Sequence, residues 1–148
     1  MAFKVQTQIE IEAPASVVWD ILIDLDKYAR WNPFIIEAKG RIAPGAVLEV
    51  SPQLAGKQQA TFQPVVTSYV EGRSFAWTGA IVHRWFSTGV HSFDIRPVSD
   101  SRVVVEHDEV FRGIGAPLVS LIGKRLTERG FIAMNEALKK EAEAHRHA

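Results

Sequence analysis

Residues 116–145, APLVSLIGKRLTERGFIAMNEALKKEAEAH, decide how this chain folds. No other run is long enough, and free enough of β-branched clusters and proline, to form a helix of many turns. Its one proline, Pro117, stands just after Gly113-Ile114-Gly115, where a first helical turn tolerates it. At the α-helical rise the stretch would span about 45 Å, the width of a small domain. Leu118, Leu121, Ile122 and Leu126 form an apolar stripe that Ile132 and Ala133 extend. Phe131, Met134, Leu138 and Ala142 form a second, displaced by roughly 160°. The stripes exchange near Gly130, with Gly123 as a second weak point. Either the helix bends there, or its two halves pack against different surfaces. The C-terminal half is expected to be gripped as core, and the first half to wall or gate a cavity. Gly113, Gly115, Gly123 and Gly130 are the candidate hinges.

Upstream, almost everything from Ile35 to Phe111 reads as short strands. They are expected over 35–42, 47–52, 59–70, 74–82, 88–97 and 102–111, with the third interrupted at Pro64, which suits an edge or bulge. At the start, Phe3, Val5, Thr7, Ile9 and Ile11 alternate with polar residues, the period of a half-buried strand. Ala13-Pro14-Ala15-Ser16 breaks that strand, and Val18, Ile21, Leu22 and Leu25 then mark a helix. A second short helix carries Tyr28. It ends at Trp31-Asn32-Pro33-Phe34, because a residue before proline is pushed out of the helical region. The order is strand, two short helices, six strands, long helix. That predicts an α+β fold with an antiparallel meander against one helix.

At 148 residues a single domain, 1–148, is expected. Apolar residues make up 47% and charged residues 23%, as in ordinary globular proteins. Seventeen basic and seventeen acidic side chains cancel, so no global field favours nucleic acid or anionic membrane. The absence of cysteine removes disulfides, thiolate metal sites and cysteine nucleophiles. No apolar run approaches a membrane span, and the first residues carry no secretory pattern, so a cytoplasmic location is expected. No Gly-rich phosphate loop, G-x-S-x-G or H-E-x-x-H occurs.

Strand parity identifies the candidate site. His91, Phe93 and Ile95 share one face of their strand. Val103, Val105, His107, Glu109 and Phe111 share a face of the next, opposite a more acidic set suited to solvent. Phe75, Trp77, Gly79 and Ile81 are expected to point inward as well. The inferred interior is aromatic and aliphatic with His91, His107 and Glu109 embedded in it, which is costly unless the three pair or meet water. Pairing, or a wet barrel end, is one explanation. A small-molecule cavity with a few orienting polar groups is the other. In that cavity either histidine could serve as a general base near neutral pH, and the three are the candidate catalytic residues. The expected ligand contacts are Trp31 and Phe34 after the helix pair and Phe75, Trp77, Phe93 and Phe111 on the strands. The long helix would add Leu118, Ile122, Phe131 and Met134. Two histidines and a glutamate could hold a metal, but such spacing arises easily by chance, so neither metal nor cofactor is expected.

The chain resembles the Bet v 1/START-like (SRPBCC) superfamily, in its bacterial polyketide cyclase/dehydrase-like branch. The resemblance spans essentially the whole chain. It rests on the element order and on Ala13-Pro14-Ala15-Ser16-Val17-Val18-Trp19, Tyr28-Ala29-Arg30-Trp31-Asn32-Pro33-Phe34 and Trp77-Thr78-Gly79. His91-Ser92-Phe93, His107-Asp108-Glu109-Val110-Phe111-Arg112-Gly113 and Met134-Asn135-Glu136-Ala137-Leu138-Lys139 complete it. It implies a helix-grip fold: a curved seven-stranded antiparallel sheet wrapped around the C-terminal helix, with two short helices between strands 1 and 2. It also implies a cavity for a lipid-like, polyketide or aromatic molecule. Binding of such a ligand is the leading expectation, and cyclase/dehydrase-type acid–base chemistry is the alternative. A third is an interaction module, in which Trp85 and Phe86 at a hairpin tip join the last helix as a partner surface, with a homodimer as one form.

Overall fold

A computed structural model describes the backbone of residues 2–80, 87–113 and 116–147 and the side chains of 3–80, 87–113 and 123–147. Strand β1 (Ala2–Ile11) leads into helix α1 (Ala15–Ile23), a 3-10 turn (Leu25–Lys27) and helix α2 (Tyr28–Trp31). Then come β2 (Ile35–Lys39), β3 (Glu49–Leu54), the two-residue β4 (Lys57–Gln58), β5 (Val65–Val70) and β6 (Ser74–Ala80). β7 (Thr88–Ser99), β8 (Arg102–Arg112) and helix α3 (Ala116–Ala144) complete the described elements. The expected hairpin tip at 83–86 and Ile81 lie outside the described residues, as do the side chains of Leu118, Leu121 and Ile122.

The expected single sheet of seven strands is corrected to two antiparallel sheets: five strands in the order β1-β8-β7-β6-β5, and three in the order β2-β3-β4. The physical reason lies at Pro64. Residues 45–50 run antiparallel to 62–66, with bridges at Val47↔Val65 and Val50↔Phe62 in one common register. Between these bridges Leu48 N donates to the Pro64 carbonyl, but proline has no N–H to return the bond. The ladder therefore breaks into separate bridges where an uninterrupted strand pair would have joined the sheets.

β1 pairs along its whole length with β8, from Ala2↔Arg112 to Ile11↔Val103, so the chain's first strand lies beside its last. The two short helices make the excursion that lets β1 leave the meander. Val18, Trp19 and Leu22 bury the inner face of α1. The Tyr28 hydroxyl donates to the Leu22 carbonyl at 2.5 Å, and burial pushes its ionisation far above the usual phenol range, with Asp24 adding to the shift. Asn32 then turns the chain, its Oδ1 accepting from the amides of Phe34 and Ile35, both at 2.9 Å.

The C-terminal half of α3 is gripped as its second stripe predicts. Phe131, Met134, Leu138 and Ala142 are buried, whereas Ile132 on the opposite face is exposed. The helix runs unbroken through Gly123 and Gly130. Gly130 is a close-approach position: an added methyl would overlap the Phe34 ring, with Cε1 only 2.7 Å away. Gly130→Ala should therefore lower stability despite better helix propensity. Overpacking costs about 1–3 kcal/mol, against a propensity gain of about 1 kcal/mol. Urea denaturation checks this, and a more stable variant would show that Phe34 yields freely.

Candidate functional site

The inner face of the five-stranded sheet is built from alternate residues of four strands. β6 contributes Phe75 and Trp77, which pair with Phe93 and His91 on β7. Across β8, His91 pairs with Glu109 and Phe93 with His107. On β1, Thr7 stands opposite His107 and Val5 opposite Glu109. Strong strand formers hold this pleat, and its period of two puts the imidazoles, the carboxylate and the rings on one side.

His91, His107 and Glu109 do converge. Their side chains form one end of a continuous polar chain. Glu109 Oε1 lies 3.3 Å from His91 Nδ1, and His91 Nε2 lies 2.7 Å from His107 Nε2. His107 Nδ1 lies 2.7 Å from Asn135 Oδ1 on α3. The Asn135 amide donates to Thr7 Oγ1 at 2.9 Å, and that hydroxyl donates to the His107 carbonyl at 2.6 Å. Polar groups in a packed interior are tolerated when linked in this way.

The two ends of the chain differ in exposure. His107 is fully buried, sandwiched between Phe131 (ring centroids 4.0 Å apart) and Phe93 (4.3 Å). Burial pushes its pKa well below the usual imidazole range, the His91 charge acts in the same direction, and the Asn135 bond opposes both. At the other end, 15% of the Glu109 side chain is exposed, against 6% for His91. Beside this end Gly79 pairs with Gly89, and Gly89 with Phe111, so the inward rows continue without a side chain at two adjacent positions. Phe62 covers the Gly79 position, since a Cβ there would meet its ring at 3.0 Å.

The remaining expected contacts are dispersed. Phe75, Trp77, Phe93, Phe131 and Met134 are buried in the shared core. Phe111 stacks on Phe3 with centroids 4.5 Å apart, and Phe34 meets Phe131 edge-on at 5.4 Å. Trp31 lies elsewhere, in a surface cleft of about 280 Å³ shared with Val17, Ile21, Arg30 and Glu141. Asn135 and Thr7 escaped the sequence reading. The signal was a polar side chain on each buried stripe: Asn135 beside Phe131 and Leu138, Thr7 between Val5 and Ile9.

The histidine pair has the spacing of a hydrogen bond. Two imidazole nitrogens on one tetrahedral zinc would stand further apart, at roughly 3.3 Å for bonds of about 2.0–2.1 Å. Among the described residues no group of three or more His, Asp or Glu side chains is arranged to hold a metal ion. No described helix is long and apolar enough to cross a membrane.

A family model described as polyketide cyclase / dehydrase and lipid transport matches residues 2–143. No curated protein sequence matches the chain. Among solved structures, the Zhui aromatase/cyclase from Streptomyces sp. R1128 superposes with a TM-score of 0.81 at 18% identity, over 98% of this chain and 96% of its own. A START superfamily protein from Mycobacterium smegmatis gives 0.75 at 20% identity, covering 96% and 98%. Norcoclaurine synthase from Thalictrum flavum, in complex with dopamine and hydroxybenzaldehyde, gives 0.75 at 12% identity, covering 98% and 88%. These likenesses establish the shared fold.

Proposed function

This chain belongs to the polyketide cyclase/dehydrase and lipid transport family, and from that premise we propose that it binds a small hydrophobic molecule, lipid-like, polyketide or aromatic. The site would lie on the inner face of the five-stranded sheet beside Gly79 and Gly89. One observation carries this: an apolar, aromatic face is interrupted by one polar chain, whose outer member, Glu109, keeps part of its side chain accessible. A mostly apolar wall with a few fixed polar groups is the usual composition of a small-molecule site. The His91–Glu109 pair would orient a carbonyl or hydroxyl on the ligand, while Trp77 and Phe111 would pack on its apolar body.

Titration with a fluorescent hydrophobic probe, followed by native mass spectrometry with a ligand panel, tests the assignment. Saturable 1:1 binding is expected. Gly89→Val suits a strand but adds a side chain at the proposed site, so it should weaken binding by about tenfold or more, equivalent to about 1.4 kcal/mol. No saturable binding, or equal affinity in the variant, would overturn the location.

A second reading, an acid–base enzyme, is favoured by the polar chain itself. A pair sharing one proton can take a proton from the carbon next to a carbonyl and give one to a hydroxyl on the following carbon, the C–H electrons forming a C=C bond as the C–O bond breaks. Water then leaves, and no oxidant is required. The likeness to an aromatase/cyclase supports this chemistry. Glu109→Gln should then abolish deuterium exchange at the α-carbon of a bound aromatic ketone while probe affinity survives. Loss of exchange only in proportion to loss of binding would argue for a binding protein alone.

A further inference from the structure

We propose that Asn135 and Thr7 are positioning residues that lock His107 in its Nδ1–H tautomer and thereby make His91 the hydrogen-bond donor of the pair, leaving one shared proton at the His91–Glu109 end. The inference depends on the proposed function only for its chemical use.

The direction of every bond follows from the Thr7 hydroxyl. It has one hydrogen and two partners, the His107 carbonyl at 2.6 Å and the Asn135 amide at 2.9 Å. A main-chain carbonyl can only accept, so the hydroxyl commits its hydrogen there and must receive from its other neighbour. Asn135 therefore presents Nδ2 to Thr7, and its Oδ1 faces His107 Nδ1 at 2.7 Å. The opposite amide orientation would set two acceptors against one hydroxyl hydrogen. An acceptor at Nδ1 puts the imidazole proton there, and a neutral His107 then offers a bare Nε2. The 2.7 Å contact between the two Nε2 atoms requires one hydrogen, which His91 must supply. His91 Nδ1 is left facing Glu109 Oε1 at 3.3 Å, where two bare lone pairs would repel. One proton between them removes the repulsion, whether written as imidazolium–carboxylate or imidazole–carboxylic acid.

The other titratable group bonded to a member of this chain is Asp108, whose Oδ1 accepts from the Thr7 main-chain amide at 3.2 Å. Around the chain, α3 contributes Phe131, Met134 and Asn135, β6 contributes Trp77, and β1 contributes Val5 and Thr7. Lys4 and Asp108 pair on the opposite side of the sheet, and Lys124, Arg125 and Arg129 are exposed. The clamp thus joins the helix to the first strand and sets, from one end, which atom of a distant pair carries a proton.

Long-range ¹H–¹⁵N correlation of the ¹⁵N-labelled protein near neutral pH tests this without any ligand. His107 should show a protonated Nδ1 and a bare Nε2, and His91 a protonated Nε2. A protonated Nε2 on neutral His107 would overturn the proposal. Thr7→Val keeps the shape but removes the hydroxyl, freeing the Asn135 amide to turn over, so His107 should populate both tautomers. An unchanged His107 spectrum in that variant would overturn the role of Thr7. Asn135→Asp places a carboxylate against Nδ1–H and should make His107 doubly protonated at a higher pH than in the native protein. An unmoved titration would overturn the role of Asn135. Failure of probe binding would sink the proposed function and leave these tautomers standing. The wrong tautomer would sink the clamp and leave binding standing.

Discussion

Phe131→Ala should cost about 3–5 kcal/mol of unfolding free energy, a large part of the margin that keeps a small domain folded. The ring is fully buried at the meeting point of helix, sheet and polar chain. It lies parallel to His107 within 7° at 4.0 Å, tilts against His91 at 4.9 Å, and receives the edge of Phe34 at 5.4 Å. Alanine would remove all three contacts and open a void flanked by two imidazoles. Water entering that void would reach a histidine now sealed from it, so a second readout accompanies stability: the His107 imidazole should become protonatable at a pH closer to its ordinary range. Phe131→Leu, which keeps much of the volume, should cost less than the alanine variant and leave His107 shielded. Chemical denaturation gives the stability change and NMR titration gives the shielding. A loss below about 0.5 kcal/mol, the size of a surface change, would mean that α3 is not gripped at this point.

The second large effect is acid destabilisation. In the native state His107 is held well below the imidazole range, whereas the unfolded chain protonates near pH 6.5. Below that value the unfolded state binds more protons than the native state, so stability falls as pH falls, until the native-state pKa is passed. The contribution is fully present above about pH 6.5 and declines below it by up to about 1.4 kcal/mol per pH unit. Urea melts at pH 7, 6 and 5, compared with His107→Phe, isolate it. The variant should begin about 1–3 kcal/mol less stable, because Asn135 and His91 lose a buried partner, but its stability should change less with pH. Glu143 does not confuse this window. Its bond to Lys139 holds its carboxyl below the usual carboxylate range, so its own contribution is lost only at lower pH. Parallel slopes in the two proteins would place the acid sensitivity in another group.

Much of this arrangement was legible in the chain, because periodicity reports which face is buried. The alternation through His91–Phe93–Ile95 and Val103–Val105–His107–Glu109 put the three polar side chains on one surface, and the Phe131–Met134–Leu138–Ala142 stripe identified the gripped half of α3. Pro64 was legible as an interruption, since a missing N–H is a local property. Its consequence for the sheet was not, because dividing one ladder into two depends on which distant strand the proline faces. Asn135 and Thr7 were missed for a related reason. A polar residue on an apolar stripe is read as an imperfection until its partner is known, and these partners are 128 residues apart. The glycine at 130 carried an ambiguous signal. Its lack of a side chain suits a hinge or a close approach equally, and only the position of the Phe34 ring decides between them.

The pairing of β1 with β8 also sets a timetable. Thr7 meets its partners on β8 about a hundred residues later in the chain. At roughly 5–20 residues per second, a ribosome would hold the first strand unpaired for roughly 5–20 seconds before its partner is even made. During that interval β1 is a free edge with alternating apolar side chains, the form of strand most prone to pair with a stranger. Lys4, Gln6, Gln8 and Glu10 occupy every other position along it. In the finished protein they form the wet side of a strand. During synthesis they act as a temporary guard, keeping that strand soluble until β8 arrives to claim it.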